Sequence, residues 1–128
     1  MTEKAVTQSI QVEVKAQFVP EQSAPRDSRF LFTYQIRISN FGTFPVQLVS
    51  RHWIITDGNG RTEEVKGPGV VGEQPWIQPN QSFQYESFCP LPTPTGSMHG
   101  FYEMSSEAGN HFSVEIPQFF LVEPSSFH

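Results

Sequence analysis

Ile10-Gln11-Val12-Glu13-Val14-Lys15-Ala16-Gln17-Phe18 puts an apolar side chain at every second position and a polar one between each pair. Successive side chains of a strand point to opposite faces, so nine residues in this pattern form a half-buried β-strand. Phe30 to Ser39 repeats the pattern, with Phe30, Phe32, Tyr34, Ile36 and Ile38 on one face and Thr33, Gln35, Arg37 and Ser39 on the other. Pro20 to Arg29, rich in Pro, Ser, Asp and charge, reads as the loop between them. Asn40 and Gly42 end the second strand with turn chemistry.

The same grammar extends toward the C-terminus. Val46 to Thr56 is a third strand with apolar residues on both faces (Leu48, Val49, Trp53, Ile54, Ile55), the pattern of a central strand covered on both sides at one end. Asp57-Gly58-Asn59-Gly60 is a hairpin signal, and Arg61 to Val65 is the return strand. Gly67 to Pro75 is too rich in Gly and Pro for regular structure, and Pro79-Asn80 is a turn. Ser82 to Phe88 is a strand, Cys89 to Gly96 an extended loop, and His99 to Ser105 another strand. Phe112, Val114 and Ile116 alternate again, Pro117 interrupts, and Phe119 to Val122 is an edge segment.

No apolar set recurs at helical spacing over three turns. Seven to eight short strands with turns about every ten residues predict an all-β fold, an immunoglobulin-like antiparallel β-sandwich spanning residues 1–128 as one domain. A partly open barrel is the alternative. Trp53 sits on the third strand as the core tryptophan of immunoglobulin domains does, without the flanking cysteines.

A chain of 128 residues with 12 Phe, two Trp and three Tyr can bury a core without disulfides or metal. The net charge is −5, and the 8 Lys and Arg are scattered, with none after Lys66. Phosphate backbones and anionic membranes are bound by clustered cations, so neither nucleic acid nor membrane is expected as a partner. Met1 to Gln11 has no apolar core of a signal peptide, and no apolar run approaches the roughly 18 residues of a membrane span. A cytoplasmic location is expected. Cys89, the only cysteine, precedes Pro90 with no nearby histidine to activate it, and reads as an inert thiol.

No catalytic set, metal site or cofactor is expected. His52, His99, His111 and His128 show no zinc-site spacing, and His99 and Glu103 stand roughly 13 Å apart along one strand. Glu63 and Glu64 point to opposite faces, so they cannot converge on one bond as hydrolysis requires. There is no Gly-x-Ser-x-Gly elbow.

Gly67-Pro68-Gly69-Val70-Val71-Gly72 matches Gly-x-Gly-x-x-Gly, but Pro75 follows too soon for a helix to start, and Pro68 lacks an N–H. What remains is a nest of Gly-rich amides that could hold an anion without a helix, with Lys66, Arg61 and Arg51 adding charge. The competing expectation is that these glycines serve tight backbone turns. In Ser50-Arg51-His52-Trp53, Arg51 shares parity with Trp53 and so faces inward with it or sits at the sheet edge.

The segments Val46 to Gly60, Glu64 to Pro75, Thr93 to Met104 and Ile116 to Phe119 together resemble the signature of the ApaG proteins, and the resemblance extends from about Ile10 to the C-terminus. It implies a fibronectin type III-like sandwich in a bacterial cytoplasmic protein associated with cobalt resistance and magnesium efflux. ApaG genes neighbour those for rRNA methylation and dinucleoside polyphosphate hydrolysis. Related eukaryotic domains are fused to F-box and polymerase-interacting proteins, which implies protein binding. The family's suggested pyrophosphate site falls on Gly67, Gly69 and Gly72 here. Two positions depart from the pattern: Pro68, where the family carries a residue with an N–H, and Phe88, where it carries a small one, a change expected to alter local packing.

The expected function is a non-catalytic binding module for an unidentified protein partner, with an apolar patch in the Phe119–Phe120 region. A sensor that binds a phosphorylated small molecule or nucleotide through Gly67 to Gly72 is the alternative. Exposed edge strands also allow a homodimer.

Overall fold

A computed structural model describes residues 2–126; His128 lies outside them. Nine strands follow in order: β1 (Thr2–Thr7), β2 (Ile10–Phe18), β3 (Phe30–Asn40), β4 (Val46–Asp57), β5 (Thr62–Pro68), β6 (Trp76–Ile77), β7 (Ser82–Leu91), β8 (Thr95–Ser106) and β9 (His111–Val122). They form two separate antiparallel sheets, β1-β2-β3-β7 and β5-β4-β8-β9, with β6 added beside β4. The fold is therefore a β-sandwich and not a partly open barrel.

β2 and β3, the two strictly alternating segments, pair from Ile10 opposite Asn40 to Phe18 opposite Phe32. Their apolar faces supply Ile10, Val12, Val14, Phe32, Ile36 and Ile38 to the core, each no more than 1% exposed. Burial of such side chains is worth roughly 1.5–3 kcal/mol apiece. The second sheet answers with Leu48, Trp53, Tyr102, Met104, Val114 and Leu121. Trp53 lies at the centre, edge-on to Tyr34 at 5.4 Å and to Phe119 at 5.9 Å between ring centroids.

The strand count exceeds the expected seven to eight through β1 and β6. The β1–β2 turn uses Gln8 and Ser9, both at positive φ (48° and 69°), residues that announce no such turn. β6 has only two residues, too few to show a period.

β4 is central, as expected, but both its faces are apolar for a different reason. A bulge at Val49, between Leu48 and Ser50, shifts the register against β8. An extra residue reverses the alternation, so Val46 and Leu48 face the core before it and Trp53 after it. β9 uses the same device. It runs unbroken through Pro117, where its register against β8 shifts, so Val114 and Ile116 point inward before the bulge and Phe119 and Leu121 after it. The expected extended loop at Cys89 to Gly96 is shorter in the structure, since β7 continues to Leu91 and β8 starts at Thr95. Phe88 lies on the outer face of β7, 56% exposed, so it does not alter core packing.

On one side the sheets meet where Glu115 N–H of β9 donates to Thr7 Oγ1 of β1 at 3.2 Å. On the other side, β5 and β7 border a cleft of about 500 Å³. Pro68 and Pro90 fall on these two free edges, where a missing N–H costs no ladder bond.

Candidate binding surfaces

The glycine-rich loop is built on the β4 bulge. Gly69 N–H donates to the Val49 carbonyl at 2.8 Å, and Gln74 Nε2 donates to the same oxygen at 2.8 Å. Val70 and Glu73 then exchange both backbone hydrogen bonds, at 2.8 and 2.9 Å, around a two-residue turn of Val71 (φ 43°) and Gly72 (φ 82°). Two central residues at positive φ make a type I′ hairpin turn.

These bonds account for most of the loop's amides. Val49–Gly69 and Asp57–Arg61 are hydrogen-bonded positions of one ladder. Such positions alternate, so Gly67 N–H is directed at Arg51 O. Pro68 has no N–H, and Gly69, Val70 and Glu73 are bonded as described. Among the described residues, the Val71, Gly72 and Gln74 amides of this loop are the ones that lack an acceptor.

Each glycine has a local reason. A Cβ on Gly69 (φ 59°) would lie 2.0 Å from the Glu73 carbonyl oxygen, and one on Gly67 would lie 3.1 Å from both terminal nitrogens of Arg51. Gly72 stands in open space and meets only the demand of its φ.

Of the three expected cations, Arg51 and Lys66 border the loop beside Gly67 and Pro68, and Arg61 does not. Arg51 faces inward, and its Nη1 donates to Pro68 O at 3.1 Å and Gly69 O at 2.9 Å. Lys66 is on the opposite face of β5, 3.9 Å from Glu64. Arg61 lies just before the far end of β5, six residues or about 20 Å of extended chain from Gly67. Arg51 and Arg61 both border the β5–β7 cleft, together with Glu63.

The histidines are equally dispersed. His52 Nε2 is 3.7 Å from Glu64, its ring 4.8 Å from that of Phe101, and His99 sits one strand over with a buried, unbonded Nδ1. His111 is exposed at the start of β9. Among the described residues no three His, Cys, Asp or Glu side chains come within reach of one ion. Burial, reinforced by the charge of Glu63, pushes the Cys89 thiol up to about 12, far from the thiolate a nucleophile needs.

Phe119 and Phe120 part company. The β9 bulge turns Phe119 into the core, 2% exposed, and leaves Phe120 outside, 65% exposed. Phe120 stands at the mouth of a cavity of about 730 Å³ at the end of the sandwich where β2 and β9 finish and β8 begins. Phe18, Phe32, Phe119 and Val122 line it, with Gly58 and Gly96 beside them. A Cβ on Gly96 would lie 2.6 Å from the Thr56 carbonyl, so glycine lets β4 and β8 close at this end. Sequence reasoning named the Phe119–Phe120 region but not the contribution of Phe18 and Phe32, which topology alone brings to the same end.

The opposite end carries Phe41 and Phe44, 59% and 71% exposed. Asn40, 1% exposed, holds their loop through Nδ2 to Phe44 O (2.8 Å) and Ile77 O (3.0 Å), while its Oδ1 accepts Gly42 N–H (2.9 Å). No helix among the described residues is long and apolar enough to cross a membrane.

Comparison with known proteins places these features in one family. The ApaG domain model matches residues 20–106. The ApaG protein of Dechloromonas aromatica is 54% identical over 119 residues, covering 93% of this chain and 94% of that one. The ApaG protein of Bdellovibrio bacteriovorus is 50% identical over 126 residues, covering 98% and 99%. A crystal structure described as an ApaA protein from Bordetella pertussis superposes with a TM-score of 0.88 at 50% identity, over 90% of this chain and 94% of that one. On the family match and these near full-length relatives, the chain belongs to the ApaG domain family.

Proposed function

We propose that this chain is a non-catalytic cytoplasmic module that binds a protein partner through the apolar mouth around Phe120. The supporting observation is the pairing of a large, mainly apolar cavity with an aromatic side chain left 65% exposed at its rim. Exposed apolar surface of this kind is characteristic of interaction sites, and aromatic anchors dominate their energetics. The association of ApaG proteins with cobalt resistance and magnesium efflux then runs through the bound partner, not through an ion held by this chain. The alternative of a phosphate or nucleotide sensor at Gly67, Gly69 and Gly72 has less geometry behind it, since most amides there are committed to backbone carbonyls.

The test is a comparison of two surface variants in affinity isolation from native cytosol. Phe120→Ser removes the anchor at the mouth, and Phe41→Ser removes an equally exposed ring at the other end. A partner retained by wild type and F41S but lost by F120S is the expected result. Equal retention by both variants would overturn the assignment of the mouth.

A further inference from the structure

The mouth around Phe120 has a definite charge. Two carboxylates, Glu3 and Asp57, line it, and no Lys, Arg or His does. Glu3 pairs with Val14, a core residue, so its side chain lies on the inner face of β1 at the cavity. Lys4 and Lys15, its neighbours along and across the ladder, have the opposite parity and stand on the outer face of that sheet. Asp57 Oδ1 takes the amide protons of Asn59 and Arg61, at 2.8 and 3.0 Å, and its second oxygen has no hydrogen bond among the described residues.

The same lining carries apolar and aromatic surface: Phe18 and Phe32, with ring centroids 5.4 Å apart, and Phe119, Phe120 and Val122. A free inorganic cation would lose its hydration here without enough oxygen ligands to replace it. A purely apolar side chain would leave the carboxylates without partners. Lysine and arginine carry both halves of the match, an aliphatic stem that covers apolar surface and a charged head that seeks a carboxylate or an aromatic face.

We infer that the mouth receives a basic side chain of the partner, its stem against the phenylalanine rings and its head at Glu3 and Asp57. This rests on the proposal above that the mouth is the docking site. The partner segment is therefore basic, matching the −5 net charge of this chain.

The test is an amide NMR titration with acetyl-Gly-Arg-Gly-amide and with its citrulline and norleucine counterparts. Citrulline keeps the shape of arginine without the charge, and norleucine keeps only an apolar stem. The expected result is saturable shifts at Thr95, Ser97 and Phe120 with the arginine peptide, weakened at high salt. Glu3→Gln should weaken that peptide by about two- to five-fold, the range for an exposed ion pair, and leave the citrulline peptide unchanged. Equal binding of all three peptides at the mouth would overturn the basic-side-chain inference while leaving the docking site in place. Arginine-peptide shifts away from the mouth, or none at about 20 mM, would overturn the inference too. The docking site itself would then stand or fall by the F120S isolation, which uses the natural partner.

Discussion

Gly69→Ala should destabilise the fold far more than Gly72→Ala, although the two glycines are three residues apart in one loop. Both have positive φ, 59° and 82°, so an L side chain costs roughly 1–2 kcal/mol at either from backbone conformation alone. At Gly72 nothing lies within 4 Å of the new Cβ, and the cost stops there. At Gly69 the new methyl would sit 2.0 Å from Glu73 O and 2.8 Å from its carbonyl carbon. Relief requires moving the Val70–Glu73 pair or the Gly69–Val49 bond, three backbone hydrogen bonds worth about 0.5–1.5 kcal/mol each. The total is about 3–5 kcal/mol for Gly69→Ala against about 1–2 for Gly72→Ala. For a chain of this length 1 kcal/mol moves Tm by roughly 3–5 °C, so thermal unfolding followed by circular dichroism separates the variants by about 6–15 °C. Equal shifts, or an unperturbed Gly69→Ala, would show that these glycines are not explained by the backbone turns described.

The β9 bulge makes Phe119→Ala a core deletion of about 3–5 kcal/mol and Phe120→Ala a surface change within about 0.5 kcal/mol; urea unfolding of the two variants checks this, and a large cost for Phe120 would contradict the register. Val71, a β-branched residue at φ 43° on an exposed turn, is a site for stabilisation: Val71→Asn creates Asn-Gly in a type I′ turn and should raise Tm by a few degrees, whereas a lower Tm would mean Val71 makes contacts that matter. Burial raises Cys89 from 9.0 and Tyr34, Tyr85 and Tyr102 from 10.0, with Tyr85 and Tyr102 sharing a 2.5 Å hydrogen bond. As pH rises above about 9 the unfolded chain releases these protons and the folded chain keeps them. Stability present below pH 9 therefore falls by about 1.4 kcal/mol per pH unit for each group that titrates, with Cys89 first and the tyrosines from about pH 10. Denaturant unfolding at pH 8, 9.5 and 10.5 should show an accelerating loss, and a flat profile would mean these side chains are not buried as described.

How far the sequence carries can be judged strand by strand. β2 and β3 were fully legible because their alternation is unbroken and each has a polar outer face. β4 and β9 were legible as strands, yet their facing was not, because a bulge reverses parity at one residue and leaves only a mixed apolar pattern behind. Pro117 looked like an interruption for the same reason: a bulge on an edge strand tolerates a missing N–H. β1 was hidden by a polar composition and a turn made by Gln8 and Ser9. In the candidate sites, the parity of Arg51 with Trp53 was readable, but the loop carbonyls that receive its guanidinium were not. The cavity at Phe120 gathers residues from β1, β2, β3, β4, β8 and β9, which only the completed topology assembles.

The most direct test of the central proposal, that a protein partner docks at the mouth around Phe120, is site-specific photocrosslinking in native cytosol. A benzophenone side chain is placed at position 120 in one sample and at position 41 in another. A discrete adduct from position 120, absent from position 41 and suppressed by excess wild-type protein but not by excess F120S, is the result expected here. The same adducts from both positions, or suppression by F120S as effective as by wild type, would contradict it.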